Sequence, residues 1–200
     1  MRTMKHTLSI LALTSYAAVV SAQRASVQVS KNASYNVSVE AYYGSVATDT
    51  NDYSGYGIAG RLHVTDTYFV TVSRTDVTVD VTDHSDSQFA YGIGTSERYG
   101  QGTLSAIYAR GKVSGDSLSV EQNIFTLAYD IRIAASVNLG IAVAHTLNAG
   151  DVKDVTATVF SGGYEITQGL TINATYAAED TMLGQAGAKS TWTLGAKYSF

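Results

Sequence analysis

The stretch Thr193–Phe200, TLGAKYSF, decides the fold. Leu194, Ala196, Tyr198 and Phe200 fall on one side of an extended strand, and Thr193, Gly195, Lys197 and Ser199 on the other. A period of two with aromatics on one face and small or charged residues on the opposite one describes a strand between two unlike surroundings. Tyr and Phe facing water would be unfavourable, so the rest of the chain has to say what that face meets.

The same strand recurs upstream as YGIAGRL from Tyr56, FAYGIGT from Phe89, FTLAYDI from Phe125 and FSGGYEI from Phe160, with WTLGAKY from Trp192 as the fifth copy. Each begins with an aromatic, and three residues on stands Ala59, Gly92, Ala128, Gly163 or Gly195. Five residues on comes a charge in four copies, Arg61, Asp130, Glu165 and Lys197, with Gly94 as the exception. The aromatics are 33, 36, 35 and 32 residues apart, the length of one hairpin with its loops. Helical repeats have similar periods, but the alternation by twos inside each unit rejects them.

Five further alternating segments lie between these: Tyr35 to Tyr43, Tyr68 to Arg74, Leu104 to Arg110, Val137 to His145 and Leu170 to Tyr176. Ten antiparallel strands are therefore predicted, with eight as the alternative if Tyr68 to Arg74 and its partner belong to a long loop. Short links, VTDT (Val64 to Thr67), SERYGQG (Ser96 to Gly102), AAS (Ala134 to Ser136) and TQG (Thr167 to Gly169), alternate with polar ones expected to run to about 7–18 residues. Val, Thr, Tyr and Ile favour strands, and the absence of proline fits long unbroken ones.

Met1 to Ala22 reads as a cleaved signal peptide: Arg2 and Lys5, an apolar stretch from Leu8 to Val20, then Val20-Ser21-Ala22 before Gln23. Residues 23–200 form the barrel domain. Removing Arg2 and Lys5 from 13 basic residues leaves 11 against 17 acidic, a net charge of −6 that makes nucleic acid an unsuitable partner. There is no cysteine, hence no disulfide.

A soluble sandwich and a membrane barrel both alternate, but mirrored up and down strands, links of two kinds and aromatics on the apolar face favour an all-β antiparallel transmembrane barrel. With these features the chain resembles the small single-chain bacterial outer-membrane β-barrel proteins of the porin-like and opacity-protein type. Their last strand reads polar-x-Gly-x-x-aromatic-x-aromatic, matched here by Thr193, Gly195, Tyr198 and Phe200. The resemblance implies residence in the bacterial outer membrane, lipid and lipopolysaccharide around the barrel, and recognition of these four residues by the barrel assembly machinery. A monomer is expected, without cofactor or bound metal.

By parity, Glu40, Arg61, His63, Asp130, Arg132, Glu165 and Lys197 point into the lumen. Both signs in a confined space must pair or stand in water, so the set is read either as a salt-bridged plug or as the constriction of a narrow ion or solute channel. Arg74, Arg110 and His145 end upward strands on the outward side, where lipid phosphates or simple snorkelling would use them. Acidic residues, Asp49, Asp52, Asp76, Asp80, Asp83, Asp86, Asp116, Glu121, Asp151, Asp154, Glu179 and Asp180, are assigned to the longer loops. Among them DVTDHSDS (Asp80 to Ser87) is rich in oxygen ligands but matches no cation-loop spacing.

An enzyme is not expected. His63, His84 and His145 are the histidines beyond the signal peptide, and none has a base or nucleophile at a spacing that a strand would hold in geometry. The functions left open are a narrow channel, a closed structural barrel and, as an alternative, a barrel that binds through its loops.

Overall fold

The computed structural model describes residues 37–48, 52–79, 85–115, 119–149, 154–179 and 188–200. The signal peptide, Tyr35, His84 and most of the DVTDHSDS segment lie outside them. The described residues form ten strands: β1 (Val37–Thr48), β2 (Asp52–His63), β3 (Tyr68–Val79), β4 (Ser85–Tyr99), β5 (Gly102–Ser114), β6 (Ser119–Ala134), β7 (Val137–Asn148), β8 (Val155–Thr167), β9 (Leu170–Glu179) and β10 (Ala188–Ser199). Each pairs antiparallel with its sequence neighbours, and β1 pairs with β10, so the sheet is a closed barrel. Closure leaves no edge strand, as a lipid environment requires.

Closure runs through the stretch that opened the sequence reading. Ser199 is opposite Ser38, Lys197 opposite Glu40 and Gly195 opposite Tyr42. The ladder continues to Phe200, whose N–H donates to the Val37 carbonyl at 2.9 Å. The outward face of β10 carries Trp192, Leu194, Ala196, Tyr198 and Phe200, all exposed. Trp192 to Phe200 spans about 26 Å along the strand at ~3.3 Å per residue, or ~20 Å of height at a barrel tilt of about 40°.

Aromatics border this band at both ends. At the rim bearing the tight turns, here the lower rim, stand Tyr68, Tyr99, Tyr164, Tyr198 and Phe200; toward the upper rim stand Tyr43, Tyr56, Phe89, Tyr108, Phe125, Phe160, Tyr176 and Trp192. Several meet as pairs: Tyr43 with Trp192 at 6.1 Å between ring centres, Tyr108 with Phe125 at 5.1 Å, and Tyr198 with Phe200 at 4.9 Å.

The strands are longer than the sequence predicts, which corrects the loops. Only residues 49–51, 80–84, 115–118, 149–154 and 180–187 separate the strands at the upper rim. Alternation continues there through Thr, Ser and Asp, polar residues that hydropathy assigns to loops but that sit well in a ladder with water on one side. Asp52, Asp76, Asp86 and Glu121 are thus strand residues, and Asp86 faces inward and is buried. At the lower rim, the seven-residue link from Ser96 shrinks to a two-residue turn at Gly100–Gln101, where φ of 61° at Gly100 suits glycine. Gly169 turns the next hairpin but one with φ of 86°.

Candidate functional site

Inward side chains of ten strands nearly fill their own barrel, and the way this lumen is filled is its main feature. Long side chains lie sideways across a glycine of the neighbouring strand and reach the strand beyond. Tyr42 of β1 crosses Gly57 of β2, and its hydroxyl meets Thr75 Oγ1 of β3 at 2.7 Å. Phe69 of β3 crosses Gly94 of β4 to pack on Ile107 of β5. Gln88 of β4 passes Gly111 of β5 and donates from Nε2 to Gln122 Oε1 of β6 at 2.7 Å, while Gln122 donates onward to Asn148 Oδ1 at 2.9 Å. Asp130 of β6 lies over Gly140 of β7 beside Ser161 of β8, and Asn138 and Asn173 meet over Gly163 of β8. A Cβ at Gly57, Gly94, Gly140 or Gly163 would collide with the crossing side chain, so each glycine is an opening that its neighbour occupies.

The predicted lumen charges all face inward or sit at the mouth, but they form two groups rather than one ring. Glu40, Arg61, Asp130 and Lys197 are 4%, 3%, 5% and 7% exposed. Glu40 and Lys197 are direct cross-strand partners. Arg61 feels the charges of both Asp130 and Glu40, although β2 and β6 are four strands apart around the wall. The cluster therefore spans the lumen. Two carboxylates face two cations, so its net charge is zero, and the Arg61 guanidinium also stacks 3.6 Å above the Phe69 ring.

Nearer the lower mouth, Arg132 Nη2 donates to Glu165 Oε2 at 2.8 Å, with side chains 30% and 34% exposed. His63 stands half-buried at the same end, its ring 5.5 Å from that of Phe69. Water reaches the part-exposed Arg132 and Glu165, whereas the other four are buried.

Above the charges the filling mixes small apolar side chains with buried polar ones, among them Thr126, Thr146, Thr175 and the Gln88–Gln122 pair. Ala128, Ala142, Ala144, Val159 and Ala177 form one buried cluster, Ala109 and Ile124 another, and Val77, Val113 and Val120 are buried as well. Of the level of small residues read from the repeat, Ala59, Ala128, Gly163 and Gly195 are buried inside the barrel and Gly92 faces inward against Ala109.

Outside, Arg74 and Arg110 project as expected. Arg74 contacts Asp76 through Nε and Nη2, the latter at 3.1 Å, and Arg110 Nη2 donates to Glu121 Oε2 at 2.6 Å. His145 instead bonds Thr156 Oγ1 through Nδ1 at 2.9 Å, across β7 and β8. Of the C-terminal pattern, Thr193 points inward with its hydroxyl 2.7 Å from that of Thr175 and Gly195 is buried, while Tyr198 and Phe200 face out. Among the described residues no group of three His, Asp or Glu side chains is arranged to hold a metal ion.

Parity of the strands located the charges, but the crossing residues Tyr42, Phe69, Gln88 and Gln122 escape sequence reading. Their signal is a long inward side chain with glycine opposite, and it becomes readable only once strand register is known.

No family model matches the chain, and no curated protein matches it. Among solved structures, it is similar to the COG4313 outer membrane channel from Pseudomonas putida F1, at 11% identity over 86% of this chain and 100% of that one, with a TM-score of 0.53. The translocator domain of the autotransporter NalP from Neisseria meningitidis is matched at 8% identity over 100% of this chain and 98% of that one, TM-score 0.49. The NanC porin is matched at 10% identity over 82% and 100%, TM-score 0.49. At such identities similarity speaks for architecture alone. In fold, the chain is a ten-stranded closed barrel of the kind found in outer-membrane proteins.

Proposed function

We propose that this chain resides in the bacterial outer membrane as a closed structural barrel, its lumen sealed by a neutral charge cluster below and by packed apolar and hydrogen-bonded polar side chains above. The observation that carries the reading is the burial of Glu40, Arg61, Asp130 and Lys197, each less than a tenth exposed. Charges lining an open aqueous path would be wetted along it; here neighbouring side chains cover them on all sides. The lipid-facing band between two aromatic belts supports the location, and the Thr193, Gly195, Tyr198, Phe200 pattern supports delivery by the barrel assembly machinery.

The test is single-channel recording of the refolded protein in a planar bilayer, with folding verified by heat-modifiable migration on gels. A silent bilayer from heat-modifiable protein is the expected result. Steady, reproducible openings would replace the closed barrel by the narrow channel, with Arg61, Asp130 and Lys197 as its lining.

A further inference from the structure

The geometry points to a binding site for the phosphates of lipopolysaccharide on the outer wall of β3, β4 and β5, just below the upper rim. It is independent of whether the lumen conducts. Among the residues whose side chains are described, the outward-facing Arg and Lys of the upper half are Arg74, Arg110 and Lys112. They are not scattered around the belt: all three lie on β3 and β5, on either side of β4.

Register places them closely. Arg74 is opposite Phe89, and Phe89 is opposite Lys112, so the two cations flank one ring in a single cross-strand row. In the row below, Arg110 is opposite Tyr91. Cross-strand neighbours on one face are about 5 Å apart and alternate residues along a strand about 7 Å apart, so the three cations form a triangle roughly 7–12 Å on a side around Phe89 and Tyr91. The two rings are 6.2 Å apart and tilted, and both are exposed. This places cations beside a pair of rings at the height where acyl chains give way to headgroups.

The carboxylates in the patch orient the arginines without consuming them. Asp76 engages Nε and Nη2 of Arg74, and Glu121 engages Nη2 of Arg110, which leaves N–H groups of both guanidinium forks for a second acceptor. With three cations against two carboxylates the patch remains positive in a chain that is acidic overall. A phosphorylated glycolipid supplies what it asks for: phosphate oxygens for forked donors and chains that continue down the aromatic wall. Elsewhere in the upper belt Tyr43, Tyr56, Phe160, Tyr176 and Trp192 are exposed rings.

The experiment uses the whole refolded protein in detergent micelles, titrated with lipid A, with dephosphorylated lipid A and with inorganic phosphate, and reads the temperature of the heat-modifiable transition together with bound lipid by native mass spectrometry. Lipid A is expected to bind and to raise the transition temperature. Combined Arg74→Gln, Arg110→Gln and Lys112→Gln is expected to weaken binding by roughly two orders of magnitude, and Lys112→Gln alone by about fivefold. Arg98→Gln, near the opposite rim, should leave it unchanged. Should the triple variant fail to fold, Lys112→Gln and an Arg110→Lys variant, which keeps charge but loses the fork, decide the matter. Equal binding of dephosphorylated lipid A, the same stabilisation by inorganic phosphate alone, or unweakened binding by the variants would overturn the assignment.

Discussion

At the residue scale, the glycines of the lumen are as informative as the charges. Gly94 has no side chain because the Phe69 ring occupies that space against Ile107. Gly94→Val would expel the ring from its site, and overpacking of this kind costs about 1–3 kcal/mol. Gly60, whose added Cβ would make ordinary contacts with Val72 Cγ1 at 3.5 Å and the Ser38 carbonyl at 4.0 Å on the outer side, provides the contrast, and Gly60→Ala should be nearly neutral. Urea unfolding of the two variants in lipid vesicles, followed by Trp192 fluorescence, measures the difference; equal midpoints would mean that Phe69 relocates freely. A second residue is Tyr42, whose hydroxyl bonds Thr75 inside the barrel. Tyr42→Phe leaves the Thr75 hydroxyl short of a partner and should cost about 1–3 kcal/mol, read by the same unfolding midpoint. The sequence showed that these glycines face inward, since alternation fixes parity, but not what fills each one. That depends on register, and register is a relation between strands that a single strand does not encode.

At the element scale, β10 shows what was legible and why. Its alternation, aromatic outer face and Gly195 identified a lipid-facing strand before any pairing was known, and the structure seats it between β9 and β1. The existence of all ten strands could be read, including β3, because each turns one apolar face outward. Most upper ends could not: Ser85 to Gln88 and Ser119 to Gln122 rise where the surroundings turn polar, and the apolar signal that marks a membrane strand fades there. The closing element also carries a prediction. Removing Phe200 deletes one backbone bond to Val37 and the ring packed edge-on 4.9 Å from Tyr198, a minor loss in a barrel closed by the whole β1–β10 ladder. The truncated protein should therefore refold in detergent almost as completely as the full chain, yet accumulate several-fold less in outer membranes of cells if Phe200 is read by the assembly machinery. Heat-modifiable protein quantified in both settings separates the two effects, and an equal deficit in both would assign Phe200 to stability alone.

At the scale of the whole molecule, the lumen has to balance its charge, and this governs how substitutions should combine. Parity placed seven charges inside, but the division into a buried cluster and a mouth pair was not legible, because it depends on how side chains from separate strands pack in the lumen. At the mouth, Arg132 and Glu165 keep contact with water, so Glu165→Gln should cost no more than about 1 kcal/mol. Deeper, Glu40 and Lys197 face each other across the closing pair of strands within a cluster that also holds Arg61 and Asp130. Lys197→Met leaves two carboxylates against one cation out of reach of bulk water, and breaking a buried pair from one side costs about 3–5 kcal/mol. Adding Glu40→Gln restores neutrality, with Arg61 and Asp130 remaining as a balanced pair, so the double variant should recover most of the loss although it has fewer ionic contacts than either parent. Unfolding midpoints of the wild type, both single variants and the double variant form the thermodynamic cycle that measures this coupling. A large favourable coupling in protein that stays electrically silent would mean that the charges seal the barrel by neutralising one another. Additive losses would mean that the pair is already wetted in solution, and the case for a sealed lumen would fall with it.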